Sequence, residues 1–391
     1  MKTDYKSDEA VYFDYAAASP LRECVLESHA RLVRDFFYNP HSAHQYSEKC
    51  LNAINKARND LLALLEIDDA EADVVWTSGG TEANNLAVLG SMRNSKKGKH
   101  PVLVEKSAHS AVLAPAQALR DEGCKYIPVP VGKDGSILLD EVEQEVADST
   151  AETALVAVCH VNNETGCVMD LKRIRSWMDE HLPQAYLFVD ALQSFGKIDI
   201  PWHEAGIDYL TVGGRKIGGP ACSGALIHRR GLPLKPLMYG GGQQRGVRPG
   251  TMDTVSIVEF ITAAKEAFEH KYTEYERLKT VNSELRKKLL NSESLSVQMV
   301  SPENASPYIL NFSLPGYRSA ILMRLLAEKN IIIATGSACS TDTVTTSHVL
   351  EAMNIERKTA SGALRVSFGR HTERNDIDHL LQELVNVTED Y

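Results

Sequence analysis

The sequence has no Cys-x-x-Cys pair that would suggest zinc. Its seven cysteines, Cys24, Cys50, Cys124, Cys159, Cys167, Cys222 and Cys339, lack the regular, even spacing of a disulfide framework. Neither a metal centre nor an oxidised scaffold is expected. Long hydrophobic runs are also missing, since no segment approaches the ~18 consecutive apolar residues of a membrane-crossing helix. The opening residues, MKTDYKSDEAVYFDYAA, hold no apolar stretch of a secretion signal. Positive charge is in deficit: 42 Lys and Arg face 52 Asp and Glu, a net charge of −10. Direct nucleic-acid binding is therefore not expected. Together these absences point to a reducing, cytoplasmic setting. Internal repeats and low-complexity tracts are absent too.

What is present is enough for a large and a smaller domain: 391 residues, 43% hydrophobic and 24% charged. The runs DVVWTSG (73–79), PVLVEKS (101–107), ALVAVCHVN (154–162), AYLFVDA (185–191), YLTVGG (209–214) and GALIHRR (224–230) are apolar and β-prone. They read as strands buried on both faces, the pattern of a parallel sheet. Between them lie helical segments such as CLNAINKARNDLLALLEI, with Leu51, Ile54, Leu61, Leu64 and Leu65 at helical spacing. The expected fold class is α/β: a large, doubly wound, mostly parallel domain over 15–262 and a smaller α+β domain over 263–391. Residues 1–14 are expected to pack on the smaller domain. One long helix is expected over 255–290, followed by the strands YILNFSL and ALRVSFG.

Four features of the large domain carry chemistry. TSGGTEANNL (77–86) follows a strand and opens a helix, with Gly79 and Gly80 allowing close backbone approach to a phosphate. Such a turn is either a ligand cradle or a purely structural one, and no Gly-Lys-Ser/Thr follows to make it a nucleotide loop. Asp190 and Gln193 stand just beyond the strand in FVDALQS, where a carboxylate either faces the ligand crevice or caps a helix. Lys216 lies among glycines after another strand, with Arg215 beside it. It is either a solvated surface lysine or an amine whose lowered pKa lets it form a Schiff base. His109 and Asn163 each follow a strand and are either structural or functional. In combination, an amine, a strand-end anion and a phosphate turn are the parts needed to hold pyridoxal 5′-phosphate.

The sequence resembles the cysteine desulfurases of the class V aminotransferase family, in the group with the longer catalytic loop. The resemblance spans nearly the whole chain through VYFDYAAASPL, NPHSAH, TSGGTEANNLA, HVNNETG, VDALQS, GGGQQRGVRPGT, TGSACST and LRVSFGRHT. It implies the fold type I architecture of pyridoxal phosphate-dependent transferases and conversion of L-cysteine to L-alanine, leaving a persulfide on Cys339. Lys216 would hold the cofactor and move protons, Asp190 would pair with the ring nitrogen, and His109 would stack on the ring. Gln193 and Asn163 would bond near the ring hydroxyl or substrate. Gly80 and Thr81 would bind the phosphate, joined by Thr251 from the partner subunit of a homodimer. Arg365 would clamp the carboxylate of L-cysteine.

Two positions depart from the family pattern: Gly213 and Arg215 stand where Ser and His are usual beside the lysine. Gly213 can offer only its backbone, and Arg215 cannot relay protons but could lower the lysine's pKa. The resemblance also leaves a selenocysteine lyase, an aminotransferase or an inactive sulfur-pathway scaffold as alternatives. The sulfur acceptor could belong to iron–sulfur assembly, tRNA thiolation or DNA phosphorothioation. In IIIATGSACSTDTVTTS (331–347), three isoleucines read as a strand, and the small, hydroxylated residues after them read as a mobile loop carrying Cys339 as a thiolate. SHVLEAM then resumes a helix. Of the other cysteines, Cys222 lies nearest to Lys216 in sequence.

Overall fold

The computed structural model of the chain describes residues 10–93, 101–147, 155–336, 347–389 and 391. In chain order its first strands are β1 (Val11–Tyr12), β2 (Ala72–Thr77), β3 (Val102–Glu105) and β4 (Tyr126–Val129). Next come β5 (Leu155–Cys159), β6 (Tyr186–Asp190), β7 (Tyr209–Gly213) and β8 (Gly224–Arg229). The main sheet has the order β2-β8-β7-β6-β5-β3-β4. Neighbours from β7 to β4 are parallel, whereas β8 runs antiparallel to both β2 and β7. The apolar run of β8 thus resembles its parallel neighbours, because direction leaves no mark on a strand buried on both faces.

Alternation along each strand builds two cores. Val156 and Val158 of β5 join a cluster with Trp177, Phe195, Trp202 and Phe260. Leu155, Ala157 and Cys159 of the same strand join Ala83, Leu86, Val112 and Tyr209 on the opposite face. The strand order reverses at β3, with β4 on one side and β5 on the other. Such a switch opens a crevice at the carboxyl ends of the strands. The segments after β3, β5, β6 and β7 all begin there.

The later elements form a third core. β9 (Gln298–Met299), β10 (Ile309–Ser313), β12 (Ala334–Thr335) and β13 (Ala363–Ser367) make an antiparallel sheet in the order β12-β13-β10-β9. β11 (Ile331–Ile332) instead pairs in parallel with β1. The isoleucine-led segment is therefore two short strands serving different sheets. The long helix expected over 255–290 is likewise two helices, Thr254–Glu269 and Lys271–Leu290, separated at His270. Phe260, Ala263, Ala264 and Ala267 of the first belong to the sheet's core. Leu278, Val281, Leu285 and Leu289 of the second belong to the later core, together with Phe13 and Ala16. The boundary expected at 262–263 falls inside the first helix, and the packing changes instead at His270.

Candidate active site

Lys216 follows β7 in a single 3-10 turn, Gly214–Lys216. Its Nζ donates to the Ala17 carbonyl at 2.5 Å. Burial lowers its pKa to about 8, and the charges of Arg215 and Arg365 act in the same direction against Asp14 and Asp190. A substantial neutral fraction is thus present near pH 8, as a nucleophilic amine requires. Arg215 is exposed, and its backbone carbonyl accepts from Ser19 N–H at 3.0 Å. Its side chain contributes charge without a place in the buried crevice.

Asp190 ends β6 and is 5% exposed. Asn84 Nδ2 donates to its Oδ2 at 2.7 Å, and Leu192 N–H donates to its Oδ1 at 2.9 Å. Thr211 Oγ1 in turn donates to Asn84 Oδ1 at 2.6 Å, which fixes which end of the amide faces the carboxylate. Burial raises the pKa of Asp190, opposed by the Leu192 N–H and the charge of His109. Such a carboxyl, satisfied by neutral donors, is the anion that a cationic ring nitrogen would stabilise.

His109 caps the helix Ser110–Asp121, its Nδ1 accepting from Ala111 N–H at 3.0 Å. Burial lowers its pKa, with the charge of Asp190 opposing and those of Lys216 and His348 assisting. Gln193 Nε2 donates to the Ala16 carbonyl at 2.8 Å, and Lys197 Nζ approaches Gln193 Oε1 at 3.4 Å. Asn163 offers its backbone carbonyl to Arg365 Nη1 at 2.9 Å. Arg365, from β13, also donates from Nη2 to Asp14 Oδ1 at 2.7 Å.

Gly80 opens the helix Gly80–Asn85, which continues directly into the π-turn Leu86–Gly90. Gly79 before it has φ +136°, a conformation that favours glycine. The first intrahelical bond runs from Ala83 N–H to the Gly79 carbonyl, so the N–H groups of Gly80, Thr81 and Glu82 precede the helical ladder. A Cβ at Gly80 or Gly213 would collide with the Leu192 side chain. At Gly213 the contact is with Leu192 Cδ2, the movable end of that side chain. Thr81 is exposed, and so is Thr251, which lines a surface depression with Thr77, Ser78, Cys222 and Arg248 of the same chain. Cys222 is an exposed free thiol in that depression.

The crevice therefore brings together Lys216, Asp190, His109, Gln193 and Arg365, and sets Gly80 beside Gly213. A neutral-prone amine, a buried carboxyl and a glycine cradle at unladdered N–H groups fit pyridoxal 5′-phosphate. Sequence reasoning missed Asn84, Asp14, Lys197 and Glu164. Asn84 shows a weak signal as a polar residue within the helical TEANNL. Cys339 lies outside the described residues.

The family profile "Aminotransferase class-V" matches residues 11–380. Cysteine desulfurase IscS 1 of Archaeoglobus fulgidus is 36% identical over 379 residues, covering 97% of each chain. Among solved structures, a protein titled NifS-like aligns with TM-score 0.89 and 28% identity, over 98% of this chain and all of its own. A structure titled SspA in complex with cysteine aligns with TM-score 0.77 and 32% identity, over 91% of this chain and 98% of its own.

Proposed function

The chain belongs to the class V aminotransferase family as a fold type I, pyridoxal 5′-phosphate-dependent cysteine desulfurase, and we propose that the residues above divide its reaction among them. The bound cofactor supplies an electron sink for the carbon next to the substrate's amino group. Lys216 would hold the cofactor through Nζ and carry the moving proton there. Asp190 would pair with the ring nitrogen, while Asn84 keeps the carboxylate aimed. Gly80 and Thr81 would receive the phosphate on backbone N–H groups, and Thr251 of a second subunit would complete the cup. His109 would stack on the ring, and Gln193 and Asn163 would bond near the ring hydroxyl or substrate. Arg365 takes the carboxylate of L-cysteine. Cys339, as a thiolate, attacks the substrate sulfur. The carbon–sulfur bond breaks, a sulfur–sulfur bond forms at Cys339 Sγ, and a proton reaches the substrate carbon to leave L-alanine. The persulfide then passes to a sulfur-acceptor protein. The working form is a cytoplasmic homodimer.

The observation that carries this assignment is a single crevice holding an amine of pKa about 8, a buried Asp190 and a buried Arg365. The cofactor-loaded protein, given L-cysteine and a thiol reductant, is expected to release alanine and sulfide in equal amounts. Cys339→Ala keeps the visible cofactor absorbance but loses both products, and full turnover in that variant overturns the role of Cys339. Lys216→Ala loses the absorbance band of the covalently held cofactor and at least ~100-fold in rate. An unchanged band there would put the attachment elsewhere.

A further inference from the structure

Arg365 is 5% exposed, and its three nitrogens face different fates. Nη1 donates to the Asn163 carbonyl, Nη2 donates to Asp14 Oδ1 at 2.7 Å, and Nε is buried without a partner. A buried guanidinium requires an anion; among the described residues Asp14 is the carboxylate in ion-pair contact with it, and Glu164 lies within reach of its charge.

Asp14 is held in place by its own segment. The Phe13 carbonyl accepts from Ser367 N–H at 2.7 Å and from Ser367 Oγ at 3.0 Å, and Ala16 N–H donates to the same Oγ at 2.9 Å. Tyr12 Oη bonds the Asp14 and Ala18 carbonyls at 3.0 and 2.9 Å. This segment also gives Ala16 O to Gln193 and Ala17 O to Lys216. One short strap thus carries an anion to Arg365 and two acceptors to Gln193 and Lys216.

We propose that Asp14 is an internal counter-carboxylate that occupies Arg365 in the substrate-free site and competes with the carboxylate of the substrate for it. The proposal rests on the reading that Arg365 binds the carboxylate of L-cysteine. With both anions on one guanidinium, like charges crowd together, so the substrate either displaces Asp14 or binds against its charge. Released from Arg365, the charge of Asp14 still acts on Lys216, which also feels Arg215, Arg365 and Asp190. Occupation of Arg365 by substrate thus shifts the electrostatic balance at the amine towards greater basicity. Asp14 is a positioning residue in this scheme, and it sets the threshold a carboxylate must exceed to enter.

Asp14→Asn separates this role from that of a structural ion pair. Asn keeps an acceptor oxygen for Arg365 Nη2 but removes the competing charge. L-Alanine, which has the carboxylate and amine but no sulfur, is titrated into the cofactor-loaded protein while the visible absorbance is followed. Asp14→Asn is expected to bind L-alanine on the order of tenfold more tightly than the parent and to lower KM for L-cysteine more than it changes kcat. Unchanged or weaker binding overturns the proposal, because a merely structural pair would loosen Arg365. If Asp14→Asn does not yield loaded protein, Asp14→Ser is titrated in its place with the same two outcomes. Arg365→Lys tests the underlying reading separately. Weakened L-alanine binding there supports Arg365 as the carboxylate site, and unchanged binding refutes that site rather than the competition by Asp14.

Discussion

Asp190 and Lys216 show how single residues acquire their environment from neighbours distant in sequence. Asp190 was visible at a strand end, but the Asn84–Thr211 pair that aims it was not. Its members lie 106 and 21 residues from Asp190 and meet only when the helix Gly80–Asn85 lies against β6 and β7. Asn84→Ala leaves one buried oxygen of Asp190 without its donor and is expected to cost about 1–3 kcal/mol of stability. Urea unfolding of the cofactor-free protein measures this, and weaker cofactor retention should accompany it. For Lys216 the neighbouring cation in the sequence, Arg215, does contribute to lowering the pKa, although burial is the larger cause. A side chain at Gly213 would press on the movable end of Leu192, and nothing else in the structure explains that departure.

At the scale of elements, the turn between β5 and the helix Leu171–His181 carries a second buried acid, Glu164. Its backbone N–H donates to Asn162 Oδ1, and Ser347 Oγ donates to its Oε2 at 2.5 Å. A Cβ at Gly336 would collide with the same oxygen. One carboxyl therefore touches the residues on either side of segment 337–346. Burial raises its pKa to about 7 from 4.5, against the hydrogen bond from Ser347 and the charge of Arg365. The folded state thus holds the proton more tightly than the unfolded chain. The stabilising contribution is complete below pH 4.5 and lost as pH rises through about 7. Lys197, lowered to about 7 by burial and by Lys216, works in the opposite sense: its contribution is complete above 10.5 and lost as pH falls through about 7. Glu164→Gln should gain melting temperature relative to the parent between pH 4.5 and 7, then keep a constant difference. Parallel melting curves across that window would contradict the assignment.

At the scale of the whole molecule, no helix among the described residues is long and apolar enough to cross a membrane. The outer face does carry large exposed side chains: Phe37 at 70%, Tyr46 at 50% and Tyr239 at 88% exposure. Tyr38 stacks on Phe37 at 4.0 Å and on Tyr46 at 4.9 Å, giving a continuous aromatic patch. The Phe37–Tyr38–Tyr46 patch is the candidate contact surface of the proposed homodimer. Sedimentation equilibrium at micromolar concentration is expected to give twice the chain mass, and Phe37→Ser should shift the equilibrium towards monomer. A parent protein that is already monomeric would remove Thr251 as a shared phosphate ligand.

The sequence by itself determined the α/β class, the cofactor and the family, because these rest on local patterns and contiguous motifs. Buried strands are apolar runs, a cradle needs consecutive glycines, and a strand-end acid follows its strand directly. Tertiary structure alone decided the direction of β8, the break at His270 and the division of residues 331–335 between two sheets. Apolar runs have no direction, and two amphipathic helices joined by one residue share the pattern of one. It also decided the carboxylate of Asp14 against Arg365, a pairing across 351 positions. Long-range ion pairs exist only once the chain has closed around them, so nothing in either segment announces the other.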